Sequence, residues 1–280
     1  MRIIEDTLII DAVEKMCIKA NCKLNEDIKQ KITEGMESEI SPVGKSVLCD
    51  LLENARIASE KTVPICQDTG MAVFFVQIGK ELHISGRSLN DAVNEGVRRG
   101  YTNGYLRKSV VEDPLRRINT KDNTPAVVHC EFTEGDRLRI VFAPKGFGSE
   151  NKSALKMLNP SDGREGVISF VVETVEKAGA NPCPPMVVGI GIGGTMDKCA
   201  QLSKLALTRS VTERNPDPYY AQLEEEITGR LQRLGIGPAG MGGSTTVLGV
   251  NIEVFPTHIA GLPVSVNISC HATRHAEVII

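Results

Sequence analysis

Three stretches of this 280-residue chain gather side chains able to do chemistry. The first, Ile65-Cys66-Gln67-Asp68-Thr69-Gly70, sets a thiol, an amide, a carboxylate and a hydroxyl in consecutive positions. Loop positions that crowd polar types are common in sites. The same residues also suit a turn in which Asp68 caps the backbone and Cys66 is core. The second stretch is Asn181-Pro182-Cys183-Pro184-Pro185. Its prolines imply a stiff, extended backbone, which suits a thiolate aimed outward from the start of a strand. The third is a glycine-rich loop over 237–246, a β-branched run over 247–255, His258, another apolar run, and then Cys270.

Two further motifs are glycine-rich. Pro144-Lys145-Gly146-Phe147-Gly148-Ser149-Glu150-Asn151-Lys152 lacks P-loop spacing, but glycines admit a ligand close to the backbone and free N–H groups favour an anion such as a carboxylate. Gly189, Gly191 and Gly194 satisfy GxGxxG between a predicted strand and a predicted helix. A dinucleotide site would need a second strand with an acid at its end about 20 residues on. Arg214-Asn215-Pro216-Asp217-Pro218 leads into a helix instead. Arg98, Arg99, Arg116 and Arg117 read as solvent-facing pairs, and Arg107 is ambiguous on local grounds.

These motifs need elements to hold them. Apolar spacing predicts helices over 7–22 and 25–38, and a third starting at Ser41-Pro42, together forming a helical N-terminal layer. A strand is expected over 71–78 and a helix over 90–99. A hairpin is expected from 126–133 and 137–143 around Glu134-Gly135-Asp136. Helices follow over 163–178, 198–209 and 219–234, with buried strands over 186–192 and 247–255. The sum is an α+β chain: one large domain, 1–280, in which the helical layer packs on a mixed, mainly antiparallel sheet.

Composition narrows the function. Apolar residues make up 41% and charged ones 24%, which is globular. A net charge of −3 and the absence of a basic recognition helix argue against nucleic acid. No apolar run approaches the roughly 20 residues a membrane span needs. No signal peptide is evident, so a cytoplasmic protein is expected. Eight cysteines in a reducing compartment are not expected to form disulfides. No CxxC pair is present, and Cys17, Cys22, Cys49, Cys130 and Cys199 read as small buried residues.

Taken together, Ile65-Cys-Gln-Asp-Thr-Gly70, Leu106-Arg-Lys-Ser109, Lys145-Gly-Phe-Gly-Ser-Glu-Asn-Lys152, Cys183-Pro-Pro185, residues 189–195 and residues 270–274 resemble the iron–sulfur hydro-lyases, class I fumarases and L-tartrate dehydratases, in their α-type half. The order and number of motifs cover nearly the whole chain. The resemblance implies a 4Fe–4S cluster held by Cys66, Cys183 and Cys270, with one iron left for substrate. It puts Gln67, Asp68, Arg107, Gly146 and His258 on active-site positions. Asp68 would transfer a proton, Arg107 would grip one substrate carboxylate, and Gln67, His258 and N–H groups around Gly146 would bind the other. It also implies a β subunit that completes the pocket, in a hetero-oligomer of αβ pairs. Residues 148–152 and 193–195 look closer to the fumarases, so reversible hydration of fumarate to L-malate is expected ahead of tartrate dehydration. Phe147 interrupts a loop that is often all glycine.

Overall fold

The computed structural model describes all residues, Met1–Ile280. In chain order the first elements are β1 (Arg2–Glu5), α1 (Asp6–Cys22), α2 (Glu26–Ser38), α3 (Pro42–Lys61), β2 (Met71–Gly79), β3 (Leu82–Ser85) and α4 (Leu89–Asn103). Next come β4 (Val127–Thr133), β5 (Leu138–Lys145), the one-turn α5 (Phe147–Glu150), β6 (Ala154–Leu158) and α6 (Gly163–Ala178). The chain finishes with β7 (Met186–Gly193), α7 (Met196–Ala206), α8 (Pro218–Gln232), β8 (Val247–Phe255), β9 (Leu262–Ser269) and β10 (Ala276–Ile279). The fold is α+β with mixed sheets in which antiparallel pairings outnumber parallel ones. No helix is long and apolar enough to cross a membrane.

The chain divides into two compact units, each with its own sheet and core. The first unit comprises Met1–Asn25, Ala55–Phe147 and Arg274–Ile280. Its sheet has the order β10-β5-β2-β4, with β1 and β3 forming a separate parallel pair. The helices α1 and α4 pack together over this core. A Cβ added at Gly100 would lie 2.7 Å from Cys17 Cβ, so the glycine sets how closely the two helices approach. Phe74 and Phe142 face each other across β2 and β5 with ring centroids 5.0 Å apart.

The predicted hairpin is corrected here. Strands β4 and β5 exist, but β2 lies between them, parallel to β4 and antiparallel to β5. The physical reason is burial: five consecutive residues of β2 are buried, so it takes the centre. The expected hairpin bend instead wraps the end of β2, where Gly79 N donates to Arg137 O and Glu81 N to Gly135 O.

The second unit comprises Glu26–Asn54 and Gly148–Thr273, with the sheet order β6-β9-β7-β8. The expected N-terminal helical layer is thus divided, with α1 in the first unit and α2 in the second. Helices α6 and α8 supply one side of the core. Helix α7 packs on β7 through the GxGxxG glycines: a Cβ at Gly189 would sit 2.1 Å from Ser203 O, and one at Gly191 would sit 2.2 Å from Cys199 O. These glycines serve close packing of a helix on a sheet.

The glycine-rich loop over 237–246 also has an internal partner. Glu39 is buried, and its carboxylate accepts from Ile40 N, Ser41 N, Ser244 N and Thr245 N at 2.7–2.9 Å. Burial pushes the carboxyl up, but the hydrogen bonds from Ser41, Ser244 and Thr245 outweigh it and hold the pKa at about 2.

Two stability predictions follow from this packing. Gly191→Ala must displace backbone, and is expected to lower unfolding free energy by about 1–3 kcal/mol, read by urea denaturation. A depressed carboxyl stabilises above the ordinary carboxylate range, and that stability is lost as pH falls toward the depressed value. Glu39→Gln should therefore cost roughly 1–3 kcal/mol at neutral pH, with the gap to the unsubstituted protein closing in melts run at increasingly acid pH.

Candidate active site

In the first unit the chain leaves α3 and enters the turn Cys66-Gln67-Asp68-Thr69-Gly70 before β2. This turn lacks regular structure, so its backbone must be satisfied by other groups. Arg274 Nη2 donates to Asp68 O at 2.9 Å. Tyr101 Oη lies 2.7 Å from Thr69 O and 3.1 Å from Gly70 O, and donates there. Asn123 Nδ2 donates to Gly70 O at 3.1 Å. Burial pushes the Tyr101 phenol up, which keeps it protonated as a donor. Arg274 is itself held by Asn21 Oδ1, through Nε at 3.2 Å and Nη2 at 3.0 Å. Asn21, Tyr101 and Asn123 are each 0% exposed and Thr69 is 1% exposed.

The side chains of the turn divide by role. Asp68 Oδ1 accepts from Gly70 N at 3.0 Å, and Oδ2 accepts from Phe147 N at 2.9 Å. A Cβ at Gly146 would lie 3.1 Å from Asp68 Oδ2, so Gly146 forms the wall against which the carboxylate rests. Cys66 Sγ accepts from Asp68 N at 3.4 Å. Asp68 therefore does cap the backbone, but Cys66 is only half-buried. Gln67 and Arg107 are exposed, and neither side chain has a partner within the chain. Thr69 Oγ1 donates to Arg107 O at 2.9 Å, tying the two loops together. The anion bound by the N–H group beside Gly146 is the protein's own Asp68. The assignment of Gly146 to substrate binding thus concerns a loop whose Phe147 N–H is engaged by Asp68.

In the second unit Cys183 is exposed and Cys270 half-buried. The backbone at Cys183 is not extended: its φ is +55°. The turn prevails over the extended bias that Pro184 imposes. Cys183 N donates to Ala180 O at 3.1 Å, and His271 reaches Cys183 O with its backbone N at 3.3 Å and its ring Nδ1 at 3.0 Å. Thr273 fixes the neighbouring turn, donating to Cys270 O through N at 3.0 Å and Oγ1 at 2.7 Å. His271 thus joins the loops of Cys183 and Cys270 at one end of the sheet.

His258 is not at that end. It occupies an exposed turn between β8 and β9, where its Nδ1 accepts from Ala260 N at 3.2 Å. Strand β9 separates it from Cys270, a span of roughly 25 Å for eight residues. His258 and Cys270 thus lie at opposite ends of β9. Glu150, by contrast, anchors its loop, with Asn267 Nδ2 donating to it at 3.1 Å and Lys204 pairing with it.

The donor chemistry suits a cluster. All eight cysteines are free thiols. Burial pushes Cys17 and Cys22 up, and pushes Cys199 to about 11, so these three stay protonated. Cys49 and Cys130 are exposed, against the expectation of burial. Cys66, Cys183 and Cys270 are the thiols that sit on turns. No group of three His, Cys, Asp or Glu side chains is gathered ready for a metal ion.

Several site residues carry no sequence signal of their own. Asn21 and Tyr101 sit in helices with apolar spacing, and Asn123 lies in a polar loop. Arg274 closes a matched stretch, but nothing nearby points to a partner as distant in sequence as Asp68.

The geometry so far defines a carboxylate fixed beside a thiol, with the exposed Gln67 next in sequence and the backbone of the exposed Arg107 tied to the same turn. A family profile described as "Fumarate hydratase (Fumerase)" matches residues 10–279. A Methanocaldococcus jannaschii protein with the provisional name L(+)-tartrate dehydratase subunit alpha is 44% identical over 274 residues, covering 96% of each chain. The L(+)-tartrate dehydratase subunit alpha of Escherichia coli O157:H7 is 32% identical over 276 residues, covering 97% of this chain and 90% of that protein. The chain is that of a hydro-lyase, a carbon–oxygen lyase. It belongs to the fumarate hydratase (fumerase) family.

If Gly146 is the wall for Asp68, Gly146→Val should press into the carboxylate. Turnover is then expected to fall at least about tenfold with the fold retained, read by steady-state kinetics alongside circular dichroism.

Proposed function

We propose that this chain is the α-type half of an iron–sulfur hydro-lyase that interconverts fumarate and L-malate, with residues 1–280 acting as one catalytic domain. The observation that carries the reading is the Asp68 carboxylate held on two backbone N–H groups beside Cys66, in a chain matched by the family along 10–279. Cys66, Cys183 and Cys270 would hold a 4Fe–4S cluster. When bound, such a cluster supplies a Lewis acid at an iron without a protein ligand, which suits loss of a poor leaving group such as hydroxide.

The chain's own residues supply the rest. The proton removed in dehydration lies next to a carboxylate and is weakly acidic, so a base must be placed for it. A positioned base contributes about 10²–10⁴-fold. Each Asp68 oxygen accepts one N–H and keeps a lone pair for the proton. Arg107, exposed and unpartnered, is suited to bidentate grip of a substrate carboxylate. Gln67 offers an amide to the other carboxylate. A companion β-type chain closes the pocket, which is supported by the words "subunit alpha" in the names of the relatives.

The same names favour a second reading, dehydration of L(+)-tartrate, also a 2-hydroxy dicarboxylate. Assay of the chain with its companion on L-malate and on L(+)-tartrate separates the two. A higher kcat/KM on malate is expected, and a clear preference for tartrate would reassign the substrate.

Serine at Cys66, Cys183 or Cys270 should each remove iron and sulfide measured anaerobically, whereas Asp68→Asn should keep both. Turnover in Asp68→Asn should drop by about 10²-fold or more. An iron-free Asp68→Asn protein would instead make Asp68 a structural residue.

A further inference from the structure

We propose that Thr69, backed by Tyr101 and Asn123, is a positioning residue that locks the Arg107 loop to the Asp68 turn and so fixes the separation between the carboxylate clamp and the base. The proposal rests on the roles given above to Asp68 and Arg107.

Thr69 lies between the two. Its backbone flanks Asp68, and its hydroxyl donates to the carbonyl of Arg107 at 2.9 Å across 38 residues of sequence. The Arg107 side chain has no partner within the chain. Its aim therefore depends on its backbone, and Thr69 holds that backbone. Asn123 adds a second tie between the same loops: its Nδ2 donates to Gly70 O at 3.1 Å, and its Oδ1 accepts from Ser109 N at 2.7 Å. Tyr101 Oη reaches the Thr69 and Gly70 carbonyls as well.

The bridge is buried and polar. Asn123 adopts φ +64°, a region that asparagine enters more readily than most side chains, and is 0% exposed. A buried hydroxyl and a buried amide left unpaired would each cost stability. Both tie one loop to the other, and none of their three bonds lies within a helix or strand ladder. A plain structural turn could be stabilised with apolar contacts. What this polar bridge adds is a fixed distance, because hydrogen bonds hold geometry more narrowly than apolar contact does.

The test is Thr69→Val, which keeps the shape and removes the hydroxyl, compared with Thr69→Ser, which keeps the hydroxyl. Both are made in the full chain, with its companion and cluster where kinetics are read. In hydrogen exchange by mass spectrometry, the segment 107–112 in Thr69→Val is expected to exchange about tenfold faster, which is roughly 1.4 kcal/mol of local stability, and the serine variant to exchange as the unsubstituted chain does. In kinetics, KM for the dicarboxylate is expected to rise about tenfold in Thr69→Val with kcat within about twofold, and serine to restore it.

Unchanged exchange over 107–112 in the valine variant, or a serine variant as impaired as valine, overturns the proposal. Active enzyme whose KM ignores the valine also overturns it, while leaving the proposed reaction intact. An unsubstituted enzyme that turns over no dicarboxylate defeats the proposed reaction, and the exchange measurement still decides whether the loops are coupled. Should Thr69→Val fail to fold, Tyr101→Phe gives the same reading, with faster exchange expected over both 66–70 and 107–112.

Discussion

Three consecutive carbonyls, those of Asp68, Thr69 and Gly70, are each bound by a buried side chain, and the rest of the candidate site depends on that. A turn outside helices and sheets has no ladder to hold it. Left to solvent it would sample many conformations, at about 1–2 kcal/mol of entropy per residue fixed. Here Arg274, Tyr101 and Asn123 replace the ladder. They come from the chain's end, from α4 and from a loop, so the turn is defined only after the first unit has closed. Arg274 lies just before β10, whose pairing with β5 completes the sheet. Asn21, which holds Arg274, also accepts Ile65 N through its own carbonyl at 2.9 Å. The same residues that close the scaffold thus hold the Asp68 turn.

A second regularity concerns anions. Backbone N–H groups in glycine-rich turns attract negative charge, and such turns are easily read as ligand sites. In this protein two of them hold the protein's own carboxylates. The turn over 242–246 receives Glu39, and the Phe147 N–H receives Asp68. The outcomes differ. Glu39 is buried and held well below the usual carboxylate range, so it serves as a permanent structural anion. Asp68 is only half-buried and borders an exposed amide, so the same interaction there orients a group that can still meet a ligand.

Legibility in the sequence follows the same division. Helices with clear apolar spacing, α1, α2 and α6, lie within a residue or so of where periodicity put them, and β2, β7 and β8 follow from buried β-branched runs. Pattern is local, and these elements are fixed locally. Short strands escaped: β1, β3 and β10 have four residues each, too few for alternation to show. Pairing also escaped, because nothing near residue 135 says that β2 will lie between β4 and β5. The Cys66 turn was visible as a crowd of polar types. Its clamps were not, since Asn21, Tyr101 and Arg274 reach it from far along the chain. The position of His258, at the far end of β9 from Cys270, was not legible for the same reason, since a motif match carries no distance.

Exposure alone does not mark the cysteines suited to bind a cluster, since Cys49 and Cys130 are exposed too. Backbone setting separates these two from Cys66, Cys183 and Cys270, the thiols proposed above as cluster ligands. Cys49 lies within α3 and Cys130 within β4, where the element dictates the direction of the side chain. Cys66, Cys183 and Cys270 each lie outside helices and strands beside a hydrogen-bonded group: Asp68 N on Cys66 Sγ and Thr273 on Cys270 O from within the local turn, and His271 on Cys183 O from a distant one. A ligand thiolate must present a lone pair at a set angle, and second-shell hydrogen bonds are what fix that angle in metal sites. The positive φ at Cys183 fits this argument. A strained backbone persists only where its surroundings over-determine it, and here His271, from the turn that follows Cys270, holds it in place.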